Sequence, residues 1–451
     1  MQSSQSPARA DRRGARSSSA GVSAITGSSS RAPASRSFRS NNNEAGENRR
    51  FGRPAPRGGR VSLPSDARRS DGREVISGRN GRVKQFIDPK RFVQEATIAE
   101  KAEYIPQHDF SDFAVHPRIL ENIRAKGYEK PSPIQDKTIP LVLEGRDVVG
   151  IANTGTGKTA AFSLPMINDL IRNMEHRCLI MAPTRELAQQ IQEEILAFSK
   201  NTGIRTALLI GGASMNIQVR DLKRSPRIII GTPGRIKDHL QQKTLSLSTI
   251  SFAVLDEFDR MLDMGFIRDI TSIFALMPKQ RQTLFFSATV DDKIESQIRN
   301  FARDPVTVSV KEGVTADSVK QDVVFFRQKE EKIDLLHDLL ISDGRGKTII
   351  FDDTKRLVEK LGRELVARGF RVDQIHGNKS QAQRSRAIKR LKTNEIDILV
   401  ATDVAARGID VSDISHVINY SQPSTYDDYV HRIGRTGRAG KTGRAFTFVQ
   451  K

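Results

Sequence analysis

The sequence predicts an α/β fold: two successive parallel sheets, each with helices on both faces, preceded by a disordered basic N-terminal tail. Three observations predict it. From about residue 91 onward, short apolar runs alternate with amphipathic segments at helical spacing. The runs fall into two series, separated by a polar stretch containing Gly313. The first ninety residues lack the large apolar side chains needed to offset chain entropy. A length of 451 residues is also long for one domain and suggests two or three.

Taken in order, the tail (1–90) is dominated by Ser, Arg, Gly, Asn and Ala, and holds 19 Lys and Arg against 7 Asp and Glu. More than half of the net charge of +20 therefore sits in a fifth of the chain. Almost all of that charge is arginine, whose planar head hydrogen-bonds phosphates and stacks on bases, so the tail reads as a sequence-tolerant RNA tether. The first globular domain spans 104–310, with strands expected at 147–151, 180–182, 228–230, 252–255 and 284–286. Helices are expected at 160–174 and 185–200, the latter from Leu187, Ile191 and Ile195. Residues 311–318 form the linker. The second domain, 319–451, carries runs at 348–351, 398–400, 417–418 and 445–449. Such alternation yields parallel sheets covered on both faces.

Bulk properties narrow the function classes. No apolar run is long enough to span a bilayer, and the N-terminus lacks the apolar stretch of a secretory signal. The single cysteine, Cys178, sits in an apolar run and reads as a buried strand thiol, so a cytoplasmic location is expected. No Cys/His cluster suggests zinc. The pI of about 10.1 favours a polyanionic partner, most simply nucleic acid.

The chemistry begins at Ala152-Asn153-Thr154-Gly155-Thr156-Gly157-Lys158-Thr159, between an expected strand and an expected helix. Glycines let backbone N–H groups approach an anion, and the helix N-terminus favours negative charge. In such a phosphate cradle Lys158 reaches the β- and γ-phosphates and the Thr159 hydroxyl can hold Mg²⁺. The run 252–255 leads into Asp256-Glu257-Phe258-Asp259. A carboxylate at the end of such a strand lies beside the cradle of the same sheet. Asp256 is placed to hold Mg²⁺, and Glu257 to orient and deprotonate the attacking water.

With these residues, the stretch from about 104 to 451 resembles the DEAD-box ATP-dependent RNA helicases, which have two RecA-like domains. The motifs stand in that family's order and spacing. The resemblance implies an RNA-stimulated ATPase that uses ATP and Mg²⁺ and locally unwinds or remodels short RNA duplexes or RNA–protein complexes. It implies that Gln135, in the run from Gly127 to Gln135, reads the adenine edge, and that Phe110 stacks near the base. It places Pro183, Thr184, Arg185, Gly211, Gly212, Thr232, Pro233, Gly234 and Arg235 at RNA in the first domain. In the second it places Gln381, Arg384, Thr402 and Gly408 there. Asp410 would face the ribose, and Arg435 and Arg438 would be arginine fingers. Asp259, Ser287, Thr289 and His431 would couple hydrolysis to strand separation. These RNA motifs are rich in Gly, Thr and Arg, which suits sugar–phosphate contact without sequence preference. A monomer is expected, with ribosomal or RNA-decay assemblies as candidate partners.

One position departs from the family in a way that matters physically. Phe258 stands where the family usually carries Ala, and packing the larger ring costs typically about 1–3 kcal/mol unless its neighbours shrink. The relay from Asp259 to Ser287 and His431 is the feature it touches. Asn153 and the pair Asp352-Asp353 also depart from the commonest residues. Two rival readings stand beside a helicase: an ATP-gated RNA clamp that closes without separating strands, and a DNA helicase. The presence of every catalytic residue favours strand separation over the clamp, and the resemblance favours RNA over DNA.

Overall fold

Alternate residues of one strand enter different cores. Cys178 and Ile180 point into one apolar cluster of the first lobe, while Leu179 and Met181 point into another on the opposite sheet face. This two-residue alternation, with apolar residues in both phases, marks a strand buried on both sides. The computed structural model describes residues 76–77, 83–84, 87–96, 104–153, 155–310, 318–342, 346–406, 409, 411, 413–437 and 441–451. Most of the tail expected at 1–90, and all but the last residue of the linker expected at 311–318, lie outside these.

A two-residue ladder, β1 (Ile76–Ser77) with β2 (Val83–Lys84), comes first. The first lobe then contains the strands β3 (Val148–Ala152), β4 (Arg177–Met181), β5 (Thr206–Leu209), β6 (Ile228–Gly231), β7 (Ile250–Leu255), β8 (Gln282–Ser287) and β9 (Val306–Val310). They pair in the order β5-β6-β4-β7-β8-β3-β9, every pair parallel. The helices are α1 (Pro117–Ala125), α2 (Pro133–Leu143), α3 (Lys158–Arg172), α4 (Arg185–Phe198), α5 (Met215–Leu222), α6 (Pro233–Gln241), α7 (Phe258–Asp263), α8 (Ile267–Phe274) and α9 (Asp292–Phe301).

The second lobe has strands β10 (Val319–Phe326), β11 (Lys347–Phe351), β12 (Val372–Ile375), β13 (Ile398–Ala401), β14 (Ile414–Asn419) and β15 (Gly443–Gln450). Their order is β10-β15-β14-β11-β13-β12, again all parallel. Its helices are α10 (Lys332–Ser342), α11 (Lys355–Ala367), α12 (Gln381–Lys392), the one-turn α13 (Asp403–Ala406) and α14 (Tyr426–Ile433). Each sheet has an apolar cluster on either face, so the expected two-sheet α/β architecture is present in both lobes. Among the described residues, no helix is long and apolar enough to cross a membrane.

The element limits follow local chemistry. Thr184 caps α4 by accepting a hydrogen bond from Leu187 N at 3.2 Å, and Thr354 caps α11 in the same way at 3.3 Å. Helix α3 starts at Lys158 rather than at residue 160, because Gly157 (φ 89°) turns the chain from the phosphate cradle directly into it.

Candidate nucleotide and RNA site

The expected site residues of the first lobe gather at one edge of its sheet, where the strands end. Three neighbouring strands, β7, β8 and β3, lead into Asp256, the Ser287-Ala288-Thr289 turn and the phosphate cradle. The adjacent trio β5, β6 and β4 leads into Gly211-Gly212, Thr232-Pro233-Gly234-Arg235 and Pro183-Thr184-Arg185. A parallel sheet places all these ends on one side, which is where ligands bind in such folds. The nucleotide residues thus occupy one stretch of the edge and the residues expected at RNA the next.

The cradle is held from outside by α2. Ser132 and Gln135 form a capping box, with Ser132 N donating to Gln135 Oε1 at 3.0 Å. The same two side chains reach the cradle: Ser132 Oγ donates to Thr156 O at 2.7 Å, and Gln135 Nε2 to Gly157 O at 3.1 Å. A Cβ on Gly157 would lie 2.2 Å from Gln135 Nε2 and displace that amide, and the left-handed backbone there (φ 89°) strains any other residue. Gln135, expected at the adenine, is therefore buried and latched to the cradle. Phe110, expected near the base, is buried edge-on to Phe113 and Tyr128, each ring 6.1 Å away. Thr154 lies outside the described residues, and Gly155, Thr156 and Thr159 line the turn.

Lys158 is buried and donates to Ala152 O at 3.0 Å. Asp256 is 3 % exposed, and its carboxyl is pushed up to about 6. Burial is the main cause. The Lys158 ammonium opposes it, while the Glu257 and Asp259 carboxylates add to it. A buried carboxylate without a full counter-charge suits a divalent cation, and with the Thr159 hydroxyl it forms a hard oxygen donor set that fits Mg²⁺. Among the described residues no cluster of three His, Cys, Asp or Glu side chains could hold a metal alone.

Glu257 adopts a left-handed conformation (φ 53°) at the N-cap of α7. Strain of this kind in a non-glycine residue clusters at functional sites. Behind it, Asp259 Oδ2 accepts from Ala288 N at 3.1 Å, Thr289 N at 3.2 Å and Thr289 Oγ1 at 3.3 Å. Ser287 Oγ donates to Thr289 O at 2.6 Å. The first-lobe half of the expected coupling relay is thus joined. Phe258 does not disturb it: the ring is fully buried, edge-on to Phe285 at 4.9 Å, in the cluster on the far face of the sheet.

Two basic residues expected at RNA are fixed by neighbouring backbone. The Arg185 guanidinium lies over Gly211 and Gly212, and a Cβ on Gly212 (φ 77°) would come within 2.2 Å of it. Arg235 donates to Ala213 O at 3.1 Å. Thr232 and Pro233 open α6, and Gly234 follows in its first turn.

In the second lobe, Arg384 and Gln381 face the first lobe. Arg384 Nη2 lies 2.8 Å from Glu186 Oε2, with both side chains almost fully buried. Gln381 Nε2 donates to Gln189 Oε1 at 2.7 Å and to Glu186 Oε1 at 3.2 Å. These two residues, expected at RNA, are thus placed between the lobes, because a buried guanidinium needs a carboxylate partner and Glu186 supplies it. Arg435 is buried and donates to Ile409 O at 3.1 Å. His431 lines a small recess with Arg432, Arg435 and Asp403, and its Nδ1 is buried without a hydrogen-bond partner among the described residues. Thr402 follows β13 directly. Gly408, Asp410 and Arg438 lie outside the described residues.

Sequence reasoning missed four contributors. Ser132 was legible, since Ser-x-x-Gln before a helix marks a capping box. Glu186 and Gln189 carried no signal for a partner almost two hundred residues away. Arg432, paired with Asp403 at 2.6 and 2.8 Å, was equally hidden, because 29 residues separate the two.

The comparisons with known proteins agree with this layout. A family described as DEAD/DEAH box helicase matches residues 132–297, and one described as Helicase conserved C-terminal domain matches 331–440. The chain is similar to the ATP-dependent RNA helicase CshA of Limosilactobacillus reuteri, 48% identical over 342 residues, covering 75% of this chain and 69% of that one. Its similarity to CshA of Listeria monocytogenes is 47% over 343 residues, covering 76% and 66%. In structure it is similar to S. cerevisiae Dbp5 bound to RNA and ADP BeF3, with a TM-score of 0.68 at 32% identity, covering 76% of this chain and 90% of that one. It is also similar to Mss116p bound to ssRNA and AMP-PNP, with a TM-score of 0.69 at 29% identity and 77% of each chain covered.

Proposed function

The chain belongs to the DEAD-box ATP-dependent RNA helicase family, and from that premise we propose that it splits ATP only when its two lobes close on ATP and RNA together, opening short duplexes locally rather than translocating. The observation that supports this reading is that the residues expected at the nucleotide follow three neighbouring strands of the first lobe, and those expected at RNA follow the adjoining three. One closure of the second lobe can then complete both. Phosphoryl transfer needs charge around the γ-phosphate, and arginine fingers contribute about 10³–10⁵ in rate in other NTPases. Here Arg435 and Arg438 take that role from the second lobe. The first lobe holds Lys158, Asp256 and Glu257. ATP and RNA each favour the closed state, so each tightens the other's binding.

Within that reading, Asp256 and Thr159 hold Mg²⁺, which supplies charge stabilisation at the phosphates when bound. Glu257 orients and deprotonates the attacking water. Asp256-Glu257-Phe258-Asp259 acts as a variant of the family's second motif, and the joined Asp259–Thr289 contacts support its competence. The functional domains are 104–310 and 319–451, joined by the linker 311–318. RNA is held through sugar and phosphate, the basic tail is an additional tether, and the protein works as a cytoplasmic monomer, with ribosomal or RNA-decay assemblies as the candidate setting.

Replacing Glu257 by Gln tests the central assignment. ATP binding is expected to persist while turnover falls by at least about a hundredfold, the range of a lost general base. Turnover that survives the substitution removes Glu257 from the role. A duplex-release assay on the unaltered chain separates unwinding from clamping. RNA-stimulated hydrolysis without strand release would favour the clamp, and equal stimulation by DNA of the same length would remove the preference for RNA.

A further inference from the structure

Residues 87–95, described ahead of the first lobe, pack on the second. Phe92, 1 % exposed, closes a one-turn 3-10 helix (Pro89–Phe92) and packs against Tyr429 with ring centroids 4.7 Å apart. Ile87 joins the same apolar cluster. The Arg91 guanidinium sits 3.9 Å from the Tyr426 ring centroid, and Lys320 Nζ lies 2.9 Å from Glu95 Oε1.

The backbone takes part as well. Gln94 and Gln321 exchange two hydrogen bonds, at 3.1 and 2.7 Å, across the outer side of β10, the edge strand of the second sheet. The buried Gln321 side chain in turn accepts from Tyr429 OH at 2.7 Å. One edge strand and one helix are thus gripped together, and that helix, α14, carries His431 and Arg432.

Only eight residues, 96–103, then separate Glu95 from Tyr104, and Tyr104 belongs to the first lobe. Tyr104 OH donates to Asp136 Oδ2 at 2.6 Å, Gln107 N donates to the same oxygen at 2.8 Å, and His108 Nδ1 lies 2.7 Å from Asp136 Oδ1. Asp136 is on α2, one residue from Gln135 and the cradle latch. The chain therefore connects the lobes twice: through 311–318, and through this leader, whose nine Cα steps span at most about 30 Å.

We propose that residues 87–95, docked on the second lobe, and 104–108, docked on the first, form an interlobe tie, with Phe92 as its positioning anchor, that keeps α14 near the nucleotide site and lowers the concentrations of ATP and RNA needed for closure. The tie coexists with the buried Arg384–Glu186 contact, so it is compatible with lobes that touch. A short tether acts by raising the effective concentration of one lobe at the other. It touches no substrate, so it acts on the half-saturating concentrations and not on the chemical step. This rests on the closure reading above. The bland alternative is that the leader only covers an edge strand.

Four variants of the full chain decide between these. With Phe92→Ala, the RNA and ATP concentrations for half-maximal ATPase are expected to rise roughly tenfold, while kcat at saturation stays within about twofold. Phe92→Leu, which keeps most of the apolar volume, is expected to restore them. A bonded antiparallel pair places its Cα atoms about 5.5 Å apart, within disulfide range. Gln94→Cys with Gln321→Cys in the Phe92→Ala background is therefore expected to crosslink on mild oxidation and to restore the low half-saturating values, which rise again on reduction. Failure of the same cysteine pair to crosslink in a chain that keeps Phe92 overturns the docking. Half-saturating values that are unchanged or lower in Phe92→Ala, or a fall in kcat alone, overturn the tie and leave an edge cover. If the unaltered chain shows no RNA-stimulated ATPase, the closure reading fails instead, a result distinct from the crosslink, which is read without turnover.

Discussion

Phe258 shows how far a single residue can be read in isolation. Its bulk, in a position where the related family carries Ala, predicts overpacking, yet the ring lies fully buried against Phe285 in a cluster that also holds Met261 and Ile294. Its side chain lies in the apolar cluster on one face of the sheet, while the neighbouring Asp259 carboxylate keeps its partners. The residue is now part of the core, so reverting it leaves a hole. Phe258→Ala is expected to lower the stability of the first lobe by about 3 kcal/mol or more, as large-to-small core changes do. The RNA-stimulated turnover of the surviving folded fraction should stay close to that of the parent. Chemical denaturation read beside ATPase checks both. A variant as stable as the parent would mean that the neighbours close around the smaller side chain. The candidate site residues could be named at this scale, because Gly, Lys, Thr and paired carboxylates have a chemistry that spacing exposes. Their present partners were not. Lys158 rests on the Ala152 carbonyl and Gln135 on Gly157, contacts that no local pattern encodes.

At the scale of elements, legibility followed burial. The apolar runs read from the sequence correspond to β3, β4, β6, β7 and β8 in the first lobe and to β11, β13, β14 and β15 in the second. Within the two lobes the strands missed were β5, β9, β10 and β12, which are the four edges of their sheets, while the short β1–β2 ladder falls in the stretch expected to be tail. An edge strand faces a neighbour on one side only and mixes polar with apolar residues, as in Val319–Phe326 or Val372–Ile375, so its signal is diluted. The leader before α1 was missed for a related reason: its grip depends on Asp136, a carboxylate inside a helix. Burial alone would push that carboxyl up, but the hydrogen bonds from Tyr104, Gln107 and His108 outweigh it and hold the group below the ordinary carboxylate value. A depressed folded value stabilises the protein above the ordinary value, and that stabilisation is lost as pH falls through the folded one. Asp136→Asn is therefore expected to cost about 2 kcal/mol near neutral pH, the scale of hydrogen bonds to a charged group. The gap between the two proteins should narrow only below about pH 4. Denaturation midpoints of both chains across that range test the sign, and a gap that is already closed near neutral pH would remove the carboxylate from this role.

Across the whole molecule, charge is distributed as unevenly as structure. Most of the residues expected to bind and split ATP lie in the two lobes, whereas the first ninety residues carry more than half of the net positive charge. On the reading proposed above, a polyanion meeting this chain would have two kinds of contact: a shaped one at the strand ends and a diffuse one along arginines. The two respond differently to salt. Each phosphate neutralised by a cation releases counterions, so on single-stranded RNA each such contact adds about 0.7 to the slope of log affinity against log salt. Deleting residues 1–83 removes most of the diffuse contacts and leaves the docked leader from Ile87 onward in place. The shortened chain is expected to bind single-stranded RNA more weakly at low salt, with a slope reduced by several units. The two chains should converge at high salt, because the contacts at the strand ends are shared. RNA-stimulated kcat at saturation should not change, since no residue of the site has been removed. Fluorescence anisotropy over a salt series, alongside ATPase at saturating RNA, separates these terms. An unchanged slope would make the tail a bystander to RNA binding, while a fall in kcat would mean that the tail acts on the closed lobes themselves.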